Sequence, residues 1–444
     1  MAVAFGVGGN ERAAAAVADD IPAILAQQGI AAQNAGIYIW DLESARPVYT
    51  WNADQLFTPA SNQKLVTSAT ALINWGANHR FVTGLSMSDV PIENGVLDGD
   101  LFLCGYGDPS LSTRAYQRRE LGFTTASLER FARALSALGV RTVTGSVIAD
   151  AHWFDAKRTV ASWKPGIEAT ACGPISALSV NQGFQDEERV SDPVLFAATK
   201  FTEVLRKAGI KVTGAPREGR LAADAVLVKQ QSSAPLKQLL KRLNKMSDNH
   251  FAETFTKGLG KDFGEAGTTA AGVRLSRATL ASMDIPASSF VIDDGSGLSY
   301  LDRLTPHGIV RLLGCMYQRP DFAAYYDSLA IAGKDGTLAE RMRNTPAAGN
   351  AHAKTGYLNV ATSLSGYVRS ANGHLLAFSL LMAIDPTQWQ QAHDAQDAIV
   401  ATLADATVPG ACVLRVTPTR RQQIMSSIAA VHTVGSALQP CVEP

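Results

Sequence analysis

The stretch FTPASNQKLVTSATALINW, residues 57–75, has the periodicity of an amphipathic helix from Asn62 to Trp75. The apolar residues on one face of that helix are Leu65, Ala69 and Leu72. If the helix starts near Ser61, the side chains of Ser61 and Lys64 lie one turn apart on the same face. A lysine whose pKa is lowered by burial can remove a serine proton, and N–H groups at a helix N-terminus can stabilise an oxyanion. The pattern therefore predicts a nucleophile and its base, although Ser-x-x-Lys alone is also common on solvated helix faces.

Two further short motifs offer complementary chemistry. Ser247-Asp248-Asn249 supplies a second hydroxyl, which can relay a proton, and an amide, which can hold both a lysine and a substrate. Lys354-Thr355-Gly356 supplies a cation and a hydroxyl to a carboxylate, and its glycine permits close approach of the backbone to a ligand. Taken singly, Ser-Asp-Asn is more typical of a helix N-cap, and Lys-Thr-Gly is more typical of a turn into an edge strand. Helical character beginning at Pro235 runs on past Asn249.

The order of the three motifs is more specific than any one of them. Ser-x-x-Lys, Ser-Asp-Asn and Lys-Thr-Gly follow one another as in penicillin-binding proteins and serine β-lactamases. The chain resembles in particular the class C low-molecular-mass penicillin-binding proteins, the D-alanyl-D-alanine carboxypeptidases and endopeptidases of peptidase family S13. Ser247 follows Ser61 by 186 positions, which is more than a compact β-lactamase has, whereas this family inserts extra domains there. Further similar segments are Gly107-Asp108-Pro109, Pro174–Ser179, Asp294–Ser299 and Gly333–Leu338.

The resemblance, which spans residues 30–405, implies an α/β (α+β) fold. We expect a penicillin-binding, β-lactamase-like transpeptidase domain with a large, sheet-rich inserted region. The catalytic domain is predicted to be discontinuous, with parts at 1–76 and 235–411. The insertion is predicted at 77–234, where hairpin patterns recur, and a C-terminal tail is predicted at 412–444. The inserted region is expected to shape the groove and to contribute no essential chemistry.

The same resemblance implies roles for the motif residues. Ser61 is expected to be the acylated nucleophile and Lys64 its base, with Ser247 and Asn249 completing a proton relay. Lys354 completes the catalytic set and, with Thr355, is expected to bind the terminal carboxylate of the substrate. Gly356 would admit an extended peptide. The N–H groups of Ser61 and Tyr357 would form the oxyanion hole.

Substrate selection rests on three further positions. Some members of the family carry an arginine directly after Asp-Gly-Ser-Gly-Leu-Ser, where it can pair with the carboxylate of a diaminopimelate side chain. Here that position is Tyr300, which supplies no cation, and Arg303 is the next cation along the chain. Asp150 and Asn359 are the other two positions expected to contact substrate. The departure at Tyr300 predicts a weakened preference for a free diaminopimelate carboxylate.

Composition excludes several other classes of function. Lys+Arg and Asp+Glu are both 40, so there is no net charge to attract nucleic acid. The eight histidines form no HExxH motif and the five cysteines form no CxxC motif, so no metal and no cofactor are predicted. Cys412 and Cys441 flank the tail and are candidates for a disulfide. The Gly-rich segments fit no P-loop.

The expected partners are peptidoglycan peptides, and β-lactam antibiotics as covalent inhibitors. At most peripheral membrane contact is expected, because no apolar run reaches the length of a membrane span. Such a substrate implies a periplasmic or otherwise extracytoplasmic location, although no signal peptide is visible in this chain. Two alternatives stay open, namely a β-lactamase or esterase on the same scaffold, and a catalytically idle module that binds β-lactams or wall fragments.

Overall fold

The computed structural model of the protein describes residues 8–185 and 188–408. Its α-helices are α1 (Gly8–Gln27), α2 (Gln63–Trp75), α3 (Arg114–Tyr116), α4 (Leu128–Ala137), α5 (Pro193–Lys207), α6 (Leu236–Lys245), α7 (Asn249–Phe263), α8 (Thr269–Ala281), α9 (Pro306–Tyr317), α10 (Phe322–Tyr326) and α11 (Trp389–Asp405). The predicted tail at 412–444, with the candidate disulfide between Cys412 and Cys441, lies outside the described residues.

The strands form one large sheet and several smaller ones. They are β1 (Ala35–Asp41), β2 (Arg46–Trp51), β3 (Val82–Met87), β4 (Ile92–Glu93), β5 (Val96–Leu97), β6 (Leu101–Gly105), β7 (Thr142–Val143), β8 (Val147–Asp150), β9 (Phe184–Gln185), β10 (Glu188–Arg189), β11 (Lys211–Val212), β12 (Arg217–Glu218), β13 (Val226–Ser232), β14 (Phe290–Val291), β15 (Arg303–Leu304), β16 (Ala330–Ile331), β17 (His352–Leu358), β18 (Ala361–Arg369) and β19 (Leu375–Ala383). The large sheet is antiparallel, in the order β16-β17-β18-β19-β1-β2. It therefore joins the first strands of the chain to the last ones.

The large sheet lies between two hydrophobic cores. Side chains on β1 alternate between them, because successive residues of a strand point to opposite faces. Ile37 and Ile39 contact the core that includes residues of α1 and α11. Tyr38 and Trp40 contact the other core, which includes residues of α2, α6, α7 and α9. This second core places the N-terminal ends of α2 and α7 close to β17, where the three sequence motifs meet.

The strands of residues 82–232 pair with one another. They form a five-stranded sheet, β12-β8-β6-β3-β13, a four-stranded sheet, β11-β7-β5-β4, and the hairpin β9-β10. A separate hydrophobic core joins these sheets to α4 and α5. In the described part of the chain, none of these strands pairs with the large sheet. The domain boundaries given above stay a prediction.

The helix predicted to run from Pro235 past Asn249 is interrupted, and the prediction of continuity is wrong. α6 ends at Lys245 and α7 begins at Asn249. Between them Ser247 has a φ of 56°, a left-handed conformation that ends a helix. The side chain of Asp248 accepts a hydrogen bond from the N–H of Phe251 at 3.1 Å and so caps α7. The interruption presents Asn249 at the start of a new helix.

Candidate active site

Ser61 lies in a tight turn at Ala60–Asn62 that leads into α2. Strand β17 packs directly on this turn, and the side-chain amide of Asn62 donates to the carbonyl of Lys354 at 2.9 Å. Close packing depends on Gly356, because a Cβ there would lie 2.9 Å from the backbone nitrogen of Ser61 and 2.8 Å from the carbonyl oxygen of Pro59. The glycine thus lets the strand lie directly against the turn that carries Ser61, the predicted nucleophile.

Lys64 is fully buried and is surrounded by hydrogen-bond partners. Its Nζ donates to the hydroxyl of Ser61 at 2.9 Å, to Oδ1 of Asn249 at 2.5 Å and to the carbonyl of Ser296 at 2.6 Å. Burial lowers the pKa of Lys64 to about 8, and nearby carboxylates, of which Asp294 is the strongest, oppose this shift. A substantial fraction of the amine is therefore neutral near pH 8, within reach of the serine proton.

Of the Ser247-Asp248-Asn249 motif, Asn249 is the residue that contacts Lys64. Asn249 accepts from Lys64 through Oδ1, and its amide nitrogen donates to the carbonyl of Ala171 at 2.8 Å. Burial opposes ionisation of Asp248, but the charge of Arg242 and the hydrogen bond from Gln182 together lower the pKa of its carboxyl. Ser247 borders a cavity beside Asn249.

The third motif lies on β17 with alternating burial. Lys354 is fully buried, and its Nζ donates to the carbonyl of Thr355 at 2.8 Å. Burial, together with the charge of Lys64, holds the pKa of Lys354 well below its usual value. An incoming carboxylate favours the charged form of such a lysine. The hydroxyl of Thr355 contacts that of Thr337 at 2.8 Å, and Tyr357 is exposed.

The chain matches the model of the D-Ala-D-Ala carboxypeptidase 3 (S13) family over residues 17–188 and 183–405. The chain belongs to this family. The predicted resemblance to class C penicillin-binding proteins and the prediction of a serine hydrolase are both confirmed. Among curated relatives, the D-alanyl-D-alanine carboxypeptidase of Actinomadura sp. (strain R39) is 30% identical, over 82% of this chain and 80% of the relative.

Solved structures share the fold of this S13 family member. Penicillin binding protein 4 (dacB) from Haemophilus influenzae superposes with a TM-score of 0.73 at 20% identity, covering 85% of this chain and 98% of the other. The penicillin G-acylated endopeptidase Bd3459 from Bdellovibrio bacteriovorus superposes with a TM-score of 0.53 at 18% identity, covering 85% and 94%. The predicted α/β (α+β) fold with a penicillin-binding, β-lactamase-like domain is confirmed.

Asp150, one of the predicted substrate contacts of this S13 protein, has partners within the region of residues 77–234. It ends β8, and its carboxylate accepts from the N–H of His152 at 2.9 Å and from the N–H of Leu221 at 2.8 Å. The ring of His152 lies 2.9 Å from the same carboxylate. Burial of Asp150 opposes ionisation, but these hydrogen bonds lower its pKa. Its role in substrate binding stays a prediction.

A cation lies beside Tyr300, although Tyr300 itself supplies none. The Nζ of Lys164 lies 3.7 Å from the centroid of the Tyr300 ring, a cation–π contact. Arg303, the other candidate cation, donates to the carbonyls of Tyr300 and Asp302, both at 2.7 Å. Asn359 lies 3.5 Å from the phenol of Tyr357 through its Oδ1. Because Lys164 is 136 positions from Tyr300, sequence reasoning did not find this pair.

Glu253 and the loop Asp294–Ser299 form a support that sequence reasoning also missed. One carboxylate oxygen of Glu253 accepts from the N–H groups of Gly295 and Ser296, at 3.1 and 2.8 Å. The carbonyl of Ser296 in turn accepts from Lys64. Burial and the charge of Asp294 raise the pKa of Glu253 to about 8. The sequence did contain one signal for it: Glu253 follows Asn249 by one helical turn, so both side chains lie on the same face of α7.

Proposed function

We propose that this S13 family member is a serine D-alanyl-D-alanine carboxypeptidase/endopeptidase that acts on peptidoglycan stem peptides through an acyl-enzyme at Ser61. Penicillin acylates the same residue. The proposal is carried by one contact, the 2.9 Å hydrogen bond from the fully buried Lys64 to the Ser61 hydroxyl. A lysine with a pKa of about 8 is a competent general base near neutral pH.

Acylation proceeds by attack of Ser61 on the carbonyl of the penultimate D-alanine. The neutral amine of Lys64 takes the hydroxyl proton while the bond between the serine oxygen and the carbonyl carbon forms. The N–H groups of Ser61 and Tyr357 receive the oxyanion. The carbon–nitrogen bond then breaks, and the leaving amine receives the proton from the Lys64 ammonium through the Ser247 hydroxyl.

Deacylation and substrate binding use the same groups. Water adds to the ester carbonyl, the bond to the Ser61 oxygen breaks, and the proton returns to that oxygen. Lys354 and Thr355 bind the terminal carboxylate, whose charge opposes the lowering of the Lys354 pKa by burial. Gly356 admits the peptide beside the nucleophile turn. Asn249 holds Lys64, and Asp150, Tyr300 and Asn359 contact the remainder of the substrate.

The proposed partners are peptidoglycan peptides and β-lactams, and the proposed location is extracytoplasmic, where such peptides are found. No helix of residues 8–185 and 188–408 is both long and apolar enough to cross a membrane. The same residues contain no group of three or more His, Cys, Asp or Glu side chains placed to hold a metal ion.

The test is mass spectrometry of the intact chain after incubation with benzylpenicillin, followed by peptide mapping. Wild type and the control Ser282→Ala, at the end of α8, should carry one adduct on Ser61, whereas Ser61→Ala should carry none. Lys64→Ala should be acylated ~10³-fold more slowly, as expected for loss of a general base. An adduct on another serine contradicts the assignment, and rapid release of the adduct indicates a β-lactamase.

A further inference from the structure

A cavity of about 390 Å³ opens beside Ser247 and Asn249, on the α7 side of the active site. Other residues on its wall include Tyr116, Gln182, Arg189 and Arg242. Most of the residues that line the space are polar or charged. No residue of β17 is among those that line it, so it lies away from the proposed site for the terminal carboxylate.

The cavity wall carries more positive than negative charge. The positive charge of Arg242 is balanced by the carboxylate of Asp248, which lies 2.8 Å from its Nε. Its Nη1 donates to the carbonyl of Glu120 at 2.7 Å. Arg189 differs, since it has no carboxylate partner within residues 8–185 and 188–408. It donates to the carbonyl of Gln182 at 3.3 Å and lies over the ring of Phe184 at 4.0 Å.

The environment of Arg189 favours an anionic ligand. The side chain is half-buried, and burial lowers its pKa, so the guanidinium has lost contact with water, and no described carboxylate pairs with it in return. Gly173 makes room for it, since a Cβ at that position would lie 2.5 Å from a guanidinium nitrogen. The planar guanidinium can bind a carboxylate through two parallel hydrogen bonds. The N-terminus of the 15-residue helix α7 adds positive potential at the same wall.

A hydrogen-bonded chain connects this wall to the catalytic residues. The phenol of Tyr116 donates to Oε1 of Gln182 at 2.8 Å, and Nε2 of Gln182 donates to the carboxylate of Asp248 at 2.7 Å. Asp248 caps the helix that begins with Asn249. The wall is therefore fixed relative to the residue that holds Lys64, as a substrate subsite requires.

We propose that this cavity binds a carboxylate on the acyl-donor part of the substrate peptide, with Arg189 as the residue that recognises it. The inference rests on the proposed function. A peptide whose terminal carboxylate lies at Lys354 and Thr355 crosses Ser61 toward Ser247 and Asn249. Its donor part then reaches the cavity, and a carboxylate there pairs with the guanidinium of Arg189, which has no carboxylate partner among the described residues.

The test uses two peptides that end in D-Ala-D-Ala and have the same third residue. They differ only in whether the α-carboxyl of a γ-linked glutamate in the donor part is free or amidated. Wild type is expected to prefer the free acid about tenfold in kcat/KM, as a charge-assisted contact allows. Arg189→Gln should reduce that preference to less than about twofold, and Arg189→Lys should give an intermediate value.

Controls separate this inference from the proposed function. Arg343→Gln, which removes an exposed arginine paired with Glu340, should keep the full preference. Benzylpenicillin should acylate wild type and Arg189→Gln at rates within about twofold, because it lacks the donor carboxylate. Absence of a preference in wild type, or an unchanged preference in Arg189→Gln or Arg189→Lys, overturns the carboxylate site. Absence of acylation at Ser61 overturns the proposed function itself.

Discussion

The ammonium nitrogen of Lys64 lies 2.9 Å from the hydroxyl oxygen of Ser61, and both belong to the first turns leading into one helix. Two other segments complete the shell around this nitrogen, through the side chain of Asn249 and the carbonyl of Ser296. All three partners can accept a hydrogen bond, so each N–H group of a protonated Lys64 has an acceptor. The neutral amine must instead use its lone pair, and Ser61 is the partner whose proton it can take.

The first prediction concerns pH. Burial lowers the pKa of Lys64 to about 8, and acylation needs the neutral amine, so the rate should rise as pH increases through that value. Below pH 8 we expect about a tenfold rise per unit, with a plateau above ~9. The measurement is the second-order rate constant for acylation by benzylpenicillin between pH 5.5 and 9.5. Lys64→Ala should be slow and nearly independent of pH, and a flat wild-type profile would contradict Lys64 as the base.

The second prediction concerns Glu253. Burial and Asp294 raise its pKa from 4.5 to about 8, so the folded chain retains a proton that the unfolded chain releases. The stabilising contribution is fully present below pH 4.5 and is lost as pH rises through 8. Between pH 5 and 8, wild type should therefore lose at least ~1 kcal/mol of unfolding free energy relative to Glu253→Gln. Urea denaturation at both pH values measures this.

Two variants separate the effect of removing the titrating carboxyl of Glu253 from the effect of removing its hydrogen bonds to the loop. The amide introduced by Glu253→Gln would still offer an oxygen to the N–H groups of Gly295 and Ser296, so this variant should keep acylation within about tenfold of wild type. Glu253→Ala leaves both groups unpaired and should lose more. Glu340→Gln, which removes an exposed glutamate, is the control and should change neither quantity. Equal pH dependence of stability in wild type and Glu253→Gln would refute the raised pKa.

The third prediction concerns Gly356. A methyl group at this position would meet the backbone nitrogen of Ser61 at 2.9 Å and the oxygen of Pro59 at 2.8 Å, so β17 must move away from the nucleophile turn. We expect Gly356→Ala to slow acylation at least tenfold and to cost ~1–3 kcal/mol of stability. Gly314→Ala is the matched control, because the nearest atom there is 3.7 Å away and α9 favours alanine. Wild-type acylation in Gly356→Ala would show that the close approach is not needed.

Local spacing was sufficient to predict part of this site. Ser61 and Lys64 are three residues apart, so helix geometry alone brings them together once the helix start is recognised. The order of the three motifs then placed Asn249 and Lys354 in the same site through the family resemblance. Geometry could not have done so, because Lys64 and Asn249 are 185 residues apart and meet only through the packing of α2 against α7.

Tertiary packing supplied what the sequence did not predict. The left-handed residue Ser247 interrupts a continuous helical pattern, because the apolar periodicity of α6 carries no information about the backbone beyond Lys245. The contact of Asn249 with the carbonyl of Ala171 involves a backbone group, which any residue could supply. The support from Glu253 depends on a loop 42 residues further along the chain. Of these relationships, only the position of Glu253, one helical turn after Asn249, left a signal in the spacing of residues.

The last prediction concerns selection of the third residue of the stem peptide. The family resemblance implies that some members carry an arginine where this chain has Tyr300, so we expect a weak preference for free over amidated diaminopimelate. It should stay below about tenfold in kcat/KM, or ~1.4 kcal/mol of transition-state binding. The ammonium of Lys164 lies over the Tyr300 ring at 3.7 Å and supplies a residual attraction, while Arg303 is engaged with backbone carbonyls.

Substitutions at both members of this pair test the prediction with matched peptides. Tyr300→Arg should raise the preference for the free acid above tenfold, because a guanidinium pairs with a carboxylate through two hydrogen bonds. Lys164→Gln should lower it toward one, and Tyr300→Phe, which keeps the ring beneath the ammonium, should change it less than about twofold. A wild-type preference above tenfold that survives in Lys164→Gln would mean that a different cation pairs with the third residue, and that Tyr300 does not govern its selection.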